Sequence, residues 1–402
     1  MKLGIVSCYF INNYGSILQA YALQKYLSAK GIECDTISVE GLKPYLDAQK
    51  KQYYLRNIHK AGLFFSKLPM IHLKVLQKIN YRKLGQRNSE RVQKFDDFRK
   101  NFRLSKESPA SLKQLTELSE MYDMIAVGSD QLWRPDNIFP EYYTLSWVPD
   151  NIPKVSYATS FGVTELNRYY KSKARTFLNR LSAISVRESG GSRLVQELTG
   201  KIPSVVCDPV FLLEKNQWNT ISDTSRCPKQ KYIFTYFLGS GKKCREFTEK
   251  LSETTGLPVS GIVHNDSYAA HDERIEYPID ACSPNEFLGL ISNAEYVCTD
   301  SFHVIAFSTI FNKNFFAFNR FTSRKYGTNS RLESFLKLTG LESRLIKSCG
   351  KANDMVLNDI DYKKVNDKVL SLINKSCDFI EKEILQGVSC NVQKKDFASQ
   401  LN

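Results

Sequence analysis

Short apolar runs that end abruptly in polar or charged residues recur along this 402-residue chain, separated by stretches with helical spacing. That alternation points to an α/β fold with parallel sheets, because helices following each strand cover both faces of such a sheet. The stretch VCTDSFHVIAFSTIF, residues 297 to 311, is the fullest instance. Val297 and Cys298 close a strand, and Phe302, Ile305, Ala306, Ile310 and Phe311 then follow the spacing of a buried helix. The turn between them holds Thr299, Asp300, Ser301 and His303. In α/β proteins ligands bind where a strand end opens into a helix N-terminus, since unpaired N–H groups point outward there. Two readings stay open: an anion or proton-transfer site, or a helix cap with His303 packed in the first turn.

The same pattern runs from the start. KLGIVSCYF reads as a strand, and INNYGSILQAYALQKYLSAKG as a loop and a helix with Ile17, Ala20, Leu23 and Leu27 on one face, stopped by Gly31. CDTISVE is the next strand, completing a βαβ unit. Asn12, Asn13 and Gly15 lie in its ligand-facing loop, where they either contact substrate or satisfy turn geometry. MYDMIAVGSDQLWRP carries a buried strand over Met124 to Val127, with Ser129, Asp130, Gln131 and Trp133 at its exit. KVSYATSFG, LSAISVRESGG and PSVVCDPVFLL are further strands, the last two ending at Arg187 with Glu188 and at Asp208 with Pro209. In a parallel sheet these ends line one crevice.

The length implies two domains. We place the first at 1–211, with a basic helical insertion at about 43–106, and the second at 212–350. A C-terminal helix at 351–387, striped by Val365, Val369, Leu372, Ile373, Ile380 and Ile384, is expected to pack back on the first domain, and 388–402 is a tail. The second domain repeats the rhythm through KYIFTYFLG, LPVSGIV, NAEYVCTD and KNFFAFNRF. GSGKK after Leu238 lacks both the Walker spacing and the third glycine of a dinucleotide fingerprint.

Between Lys43 and Lys106 there are 17 Lys and Arg against 4 Asp and Glu, so nearly all of the +14 net charge sits in one segment. Within it, residues 62 to 77 mix aromatics and lysines in a composition suited to a membrane interface or to an ordinary amphipathic helix pair. The segment shows no nucleic-acid recognition module, and its charge alone would give only salt-sensitive, nonspecific binding. No apolar run approaches the roughly 18 residues of a membrane span, so the chain is expected in the cytoplasm or held peripherally at the inner face of the membrane. The ten cysteines are scattered without zinc spacing and read as free thiols.

Six blocks in order, NNYGSILQAYAL, VGSDQLW, SYATSFG, SVRES, CDPVFLL and NEFLGLISNAEYVCTDSFHVIAFSTIFNKNFF, resemble the polysaccharide pyruvyl transferase family. The resemblance implies two Rossmann-like domains facing a cleft, similar to GT-B glycosyltransferases. It also implies transfer of a pyruvyl group from phosphoenolpyruvate to a sugar of a surface or capsular polysaccharide repeat unit, with or without a lipid carrier. The product would be a cyclic ketal, formed with no metal and with phosphoenolpyruvate as co-substrate rather than cofactor. By the same resemblance Arg187 and His303 bind phosphoenolpyruvate, with Ser301 in the same turn. His303 is then the candidate general acid and Asp208 or Asp130 the base, each aspartate having a structural alternative as well. The acceptor would meet Asn12, Asn13, Gly15 and Gln131. The competing functions are a GT-B glycosyltransferase using a nucleotide sugar and a nucleic-acid-binding protein.

Overall fold

The computed structural model describes residues 2–57, 81–239, 241–262, 275–320, 329–347 and 358–386. The chain divides into two units, Met1–His59 with Lys100–Leu212 and Leu370–Asn402, and Lys60–Arg99 with Leu213–Val369. Each is built on one parallel sheet, which is the two-domain α/β class expected from the alternation of runs.

In the first unit the strands are β1 (Lys2–Val6), β2 (Glu33–Thr36), β3 (Met124–Asp130), β4 (Lys154–Thr159), β5 (Ala183–Val186) and β6 (Ser204–Val205). They pair in parallel in the order β2-β1-β3-β4-β5-β6. Leu3, Ile5, Val6, Ile125, Val127 and Val155 are buried, as strands covered on both faces require. The winding direction changes between β1 and β3, and the crevice outside the strand ends at such a switch is where open α/β sheets bind ligands.

Helix α1 (Tyr14–Ala29) follows β1, and its burial is wider than the single expected face. Besides Ile17, Ala20, Leu23 and Leu27 it buries Leu18, Gln19, Ala22 and Gln24. The glutamines are tolerated there because they are hydrogen-bonded. Gln24 donates from Nε2 to the Thr36 hydroxyl at 3.0 Å and to the Arg103 carbonyl at 2.8 Å, and its Oε1 accepts the Arg103 N–H at 3.0 Å.

The second unit contains β7 (Ile233–Tyr236), β8 (Val259–Ile262), β9 (Tyr277–Ile279), β10 (Tyr296–Thr299), β11 (Asn314–Phe318) and β12 (Leu345–Ile346). Their order is β12-β11-β10-β7-β8-β9, all parallel, with the switch between β7 and β10. Ile233, Phe247, Val259, Cys298, Phe316 and Phe318 belong to one buried cluster in this unit.

The basic insertion is helical over Lys43–Arg56 and Tyr81–Arg99, but it is not confined to the first unit. Helix α2 (Lys43–Arg56) stays there, whereas α3 (Tyr81–Arg99) groups with the second. The attraction is specific: Lys94 Nζ lies 2.9 Å from Oε1 of Glu286, a carboxylate that also closes a capping box with Ser283. The aromatic and basic stretch 62 to 77 lies outside the described residues, as does the tail after Gln386. Among the described residues no helix is long and apolar enough to cross a membrane.

From Leu370 the helix Tyr362–Ile380 groups with the first unit. There Ser376 Oγ accepts the buried Cys207 N–H at 2.8 Å, and Phe379 lies against Tyr157. Ser376→Ala removes the acceptor and leaves that N–H unsatisfied. The expected loss is about 1–3 kcal/mol of unfolding free energy, read from urea denaturation.

Candidate functional site

In the first unit three charged residues converge at strand ends. Asp130 closes β3, Arg187 follows β5, and Asp208 follows β6. Arg187 Nη2 lies 3.2 Å from Asp130 Oδ1, and Nη1 donates to Asp208 Oδ2. The arginine side chain is 3% exposed and that of Asp208 0%, while Asp130 retains 17%. Burial alone would lower the Arg187 pKa, but Asp208, Asp130 and Glu188 outweigh it and hold the guanidinium above its ordinary value. The second oxygen of Asp130 accepts the Ser16 hydroxyl at 2.9 Å, and Asp208 Oδ1 accepts the Val210 N–H at 3.2 Å. Glu188 accepts the Ser160 hydroxyl at 2.6 Å.

This geometry separates the two candidate bases. Asp208 is sealed and ties a strand end to the turn Pro209–Leu212. Asp130 reaches a cavity of about 190 Å³ at the β1/β3 switch, lined also by Lys50, Gln131, Arg134, Asp136 and Tyr143. Gly162 keeps that wall in place: at φ +62°, a Cβ there would lie 2.9 Å from Gln131 Cδ and 3.0 Å from Arg134 Cγ. Cys8 also borders the cavity, yet burial first and the Asp130 charge second push its thiol pKa up, so it is no thiolate nucleophile near neutral pH. Burial likewise raises Tyr143, whose hydroxyl remains a donor.

Arg187, read from the resemblance as a donor ligand, is engaged by the carboxylates of Asp130 and Asp208. Of the acceptor residues, Gln131 lines the cavity. Asn13 caps α1 by accepting the Ser16 N–H at 3.1 Å, and Gly15 is buried in the first turn of that helix. Ile11 borders the cavity from this loop, and Asn12 is half-buried beside it.

In the second unit the turn after β10 abuts the exit of β7 across the switch. Thr299 donates to the Tyr236 carbonyl at 2.6 Å and accepts the Ser301 N–H at 3.0 Å. Asp300 accepts the Leu238 and Gly239 N–H groups, both at 2.8 Å, and Arg320 Nε lies 3.7 Å from its Oδ2. Gly239 is needed for this approach, because a Cβ would sit 2.9 Å from that same oxygen. Ser301 occupies the cap position of the helix Phe302–Ile310 without making a side-chain capping bond. Capping is therefore not the work of this turn: Thr299 and Asp300 lock it to β7, and His303 sits buried in the helix's first turn.

Sequence reasoning missed Ser16, Lys50, Arg134 and Asp136. The last two stand in WRPD, directly after a block already singled out, and their place at a strand exit was the available signal. Arg187→Ala leaves the buried Asp208 and the partly exposed Asp130 without their counter-charge and should cost about 3–5 kcal/mol of stability by urea denaturation. Arg187→Lys should recover only part of it, since one ammonium cannot reproduce the fork.

The chain is similar in structure to a Listeria monocytogenes protein described as a UDP-N-acetylglucosamine 2-epimerase, with a TM-score of 0.54 at 10% identity over 96% of this chain and 97% of that one. This likeness bears on the fold alone, two parallel-sheet α/β domains of the GT-B type. The Neisseria meningitidis UDP-GlcNAc 2-epimerase aligns with a TM-score of 0.47 at 11% identity, covering 95% of this chain and 99% of its own. For the spinosyn rhamnosyltransferase SpnG the values are 0.42 and 10%, with 94% and 95% covered. No curated protein matches the chain in sequence. The sequence profile of the polysaccharide pyruvyl transferase family matches residues 13–320, and the chain belongs to that family.

Proposed function

We propose that the protein transfers a pyruvyl group from phosphoenolpyruvate to a saccharide of a surface or capsular repeat unit, forming a cyclic ketal across two hydroxyls. The observation that carries this reading is Asp130, a carboxylate fixed on both oxygens by Arg187 and Ser16 that still reaches a polar cavity at the sheet's switch point.

Balanced, the reaction adds a proton to the donor's methylene carbon, making it a methyl group. One acceptor hydroxyl bonds to the adjacent carbon, phosphate leaves, and a second hydroxyl closes the ketal. One hydroxyl proton replaces the proton taken up at the methyl group, and the other leaves with phosphate. In this scheme Asp130 takes the acceptor proton, and Arg187 is a positioning residue that keeps that carboxylate in place. His303 and Ser301, at the start of a helix whose cap position has no side-chain cap bond, serve the donor's phosphate. His303 is also the proton donor to the methylene carbon.

Asp130→Asn keeps the shape of the side chain and removes the base. It should lower phosphate release from phosphoenolpyruvate in the presence of acceptor by roughly 100-fold or more. His303→Ala should lower the same rate by a factor on the order of 100, with the unfolding midpoint unchanged. Wild-type turnover in either purified variant removes that residue from the chemistry. Turnover with nucleotide sugars in place of phosphoenolpyruvate would contradict the donor assignment.

A further inference from the structure

The cavity of the first unit is bounded on one side by α2, the opening helix of the basic insertion, through Lys50. Tyr54, one turn along the same face, donates to Asp136 Oδ2 at 3.2 Å. Asp136 also lies 3.1 Å from Arg134 Nε, so the helix is tied to the cavity wall by a short polar chain. The insertion therefore begins as part of the site.

Of the charged lining, Asp130 shares Arg187 with Asp208, and Asp136 pairs with Arg134. Lys50, half-buried on the wall, is the lining cation with no carboxylate partner among the described residues. The remaining polar lining, Gln131, Asn137 and Tyr143, suits hydroxyl groups. At about 190 Å³ the cavity is smaller than the roughly 300 Å³ at which drug-sized pockets begin, room for about one ring.

We propose that this cavity takes a saccharide carrying its own negative charge, and that Lys50 selects it by pairing with that anion. The inference rests on the acceptor reading above and names its substrate class. The anion has two chemical sources, a carboxylate on the ring or a phosphate ester at the anomeric position.

The test is isothermal titration of the full chain, without phosphoenolpyruvate, using a neutral hexose, a hexuronate and a hexose 1-phosphate. At least one anionic sugar should bind about tenfold more tightly than the neutral one, and which one identifies the source. Lys50→Gln should abolish that preference while neutral-sugar binding persists, and Lys50→Arg should retain it. Equal affinities for all three, a preference that survives in Lys50→Gln, or no saturable binding of any of them overturns the proposal. The two readings fail separately. Lys50-dependent preference without phosphate release from phosphoenolpyruvate contradicts the transferase reading alone. Turnover at equal efficiency on neutral and anionic acceptors contradicts the charge selection alone.

Discussion

One guanidinium holds the chemistry of the first unit in place. Arg187 reaches Asp130 with one terminal nitrogen and Asp208 with the other, joining the ends of β3, β5 and β6 in surroundings almost closed to water. A charge buried this deeply is tolerable only when paired and hydrogen-bonded. The consequence is a division of labour between two aspartates of identical chemistry. The sealed one is structural, and the one with residual exposure faces the cavity. Fixing both oxygens of Asp130 sets its position, the condition under which the proposed proton transfer from a bound hydroxyl would be efficient.

The second unit solves a related problem chiefly with backbone N–H groups, with Arg320 beside the same carboxylate. Its turn after β10 is held by backbone N–H groups of the β7 exit donating to Asp300, and by Thr299 bridging to Tyr236. With its side chains committed to the neighbouring strand exit, the turn delivers Ser301 and His303 at a helix start. Both units thus place their polar residues where the winding of a parallel sheet reverses, a position set by topology and then specialised by local hydrogen bonding.

Much of this was legible because an abrupt change from apolar to polar residues marks a strand end. Asp130, Arg187, Asp208 and His303 all stand at such changes, and the family resemblance drew on the same blocks. The pairing was not legible. Arg187 lies 57 residues from Asp130 and 21 from Asp208, and periodicity reports which residues face a core, not which distant ones meet. Lys50 was hidden for a different reason, since a lysine within a run of lysines reads as solvated. Gln19 and Gln24 lie outside the apolar set of Ile17, Ala20, Leu23 and Leu27, yet both are buried and hydrogen-bonded. The grouping of α3 with the second unit includes the ion pair of Lys94 with Glu286, across 192 residues.

The most direct measurement is phosphorus NMR of phosphoenolpyruvate incubated with the purified chain, with and without a saccharide that offers two neighbouring hydroxyls. The expected result is conversion to inorganic phosphate only when the saccharide is present, together with a new ketal methyl signal in the proton spectrum. Phosphate appearing at the same rate without acceptor, or an unchanged donor signal with every acceptor supplied, would contradict the transfer chemistry assigned to this fold.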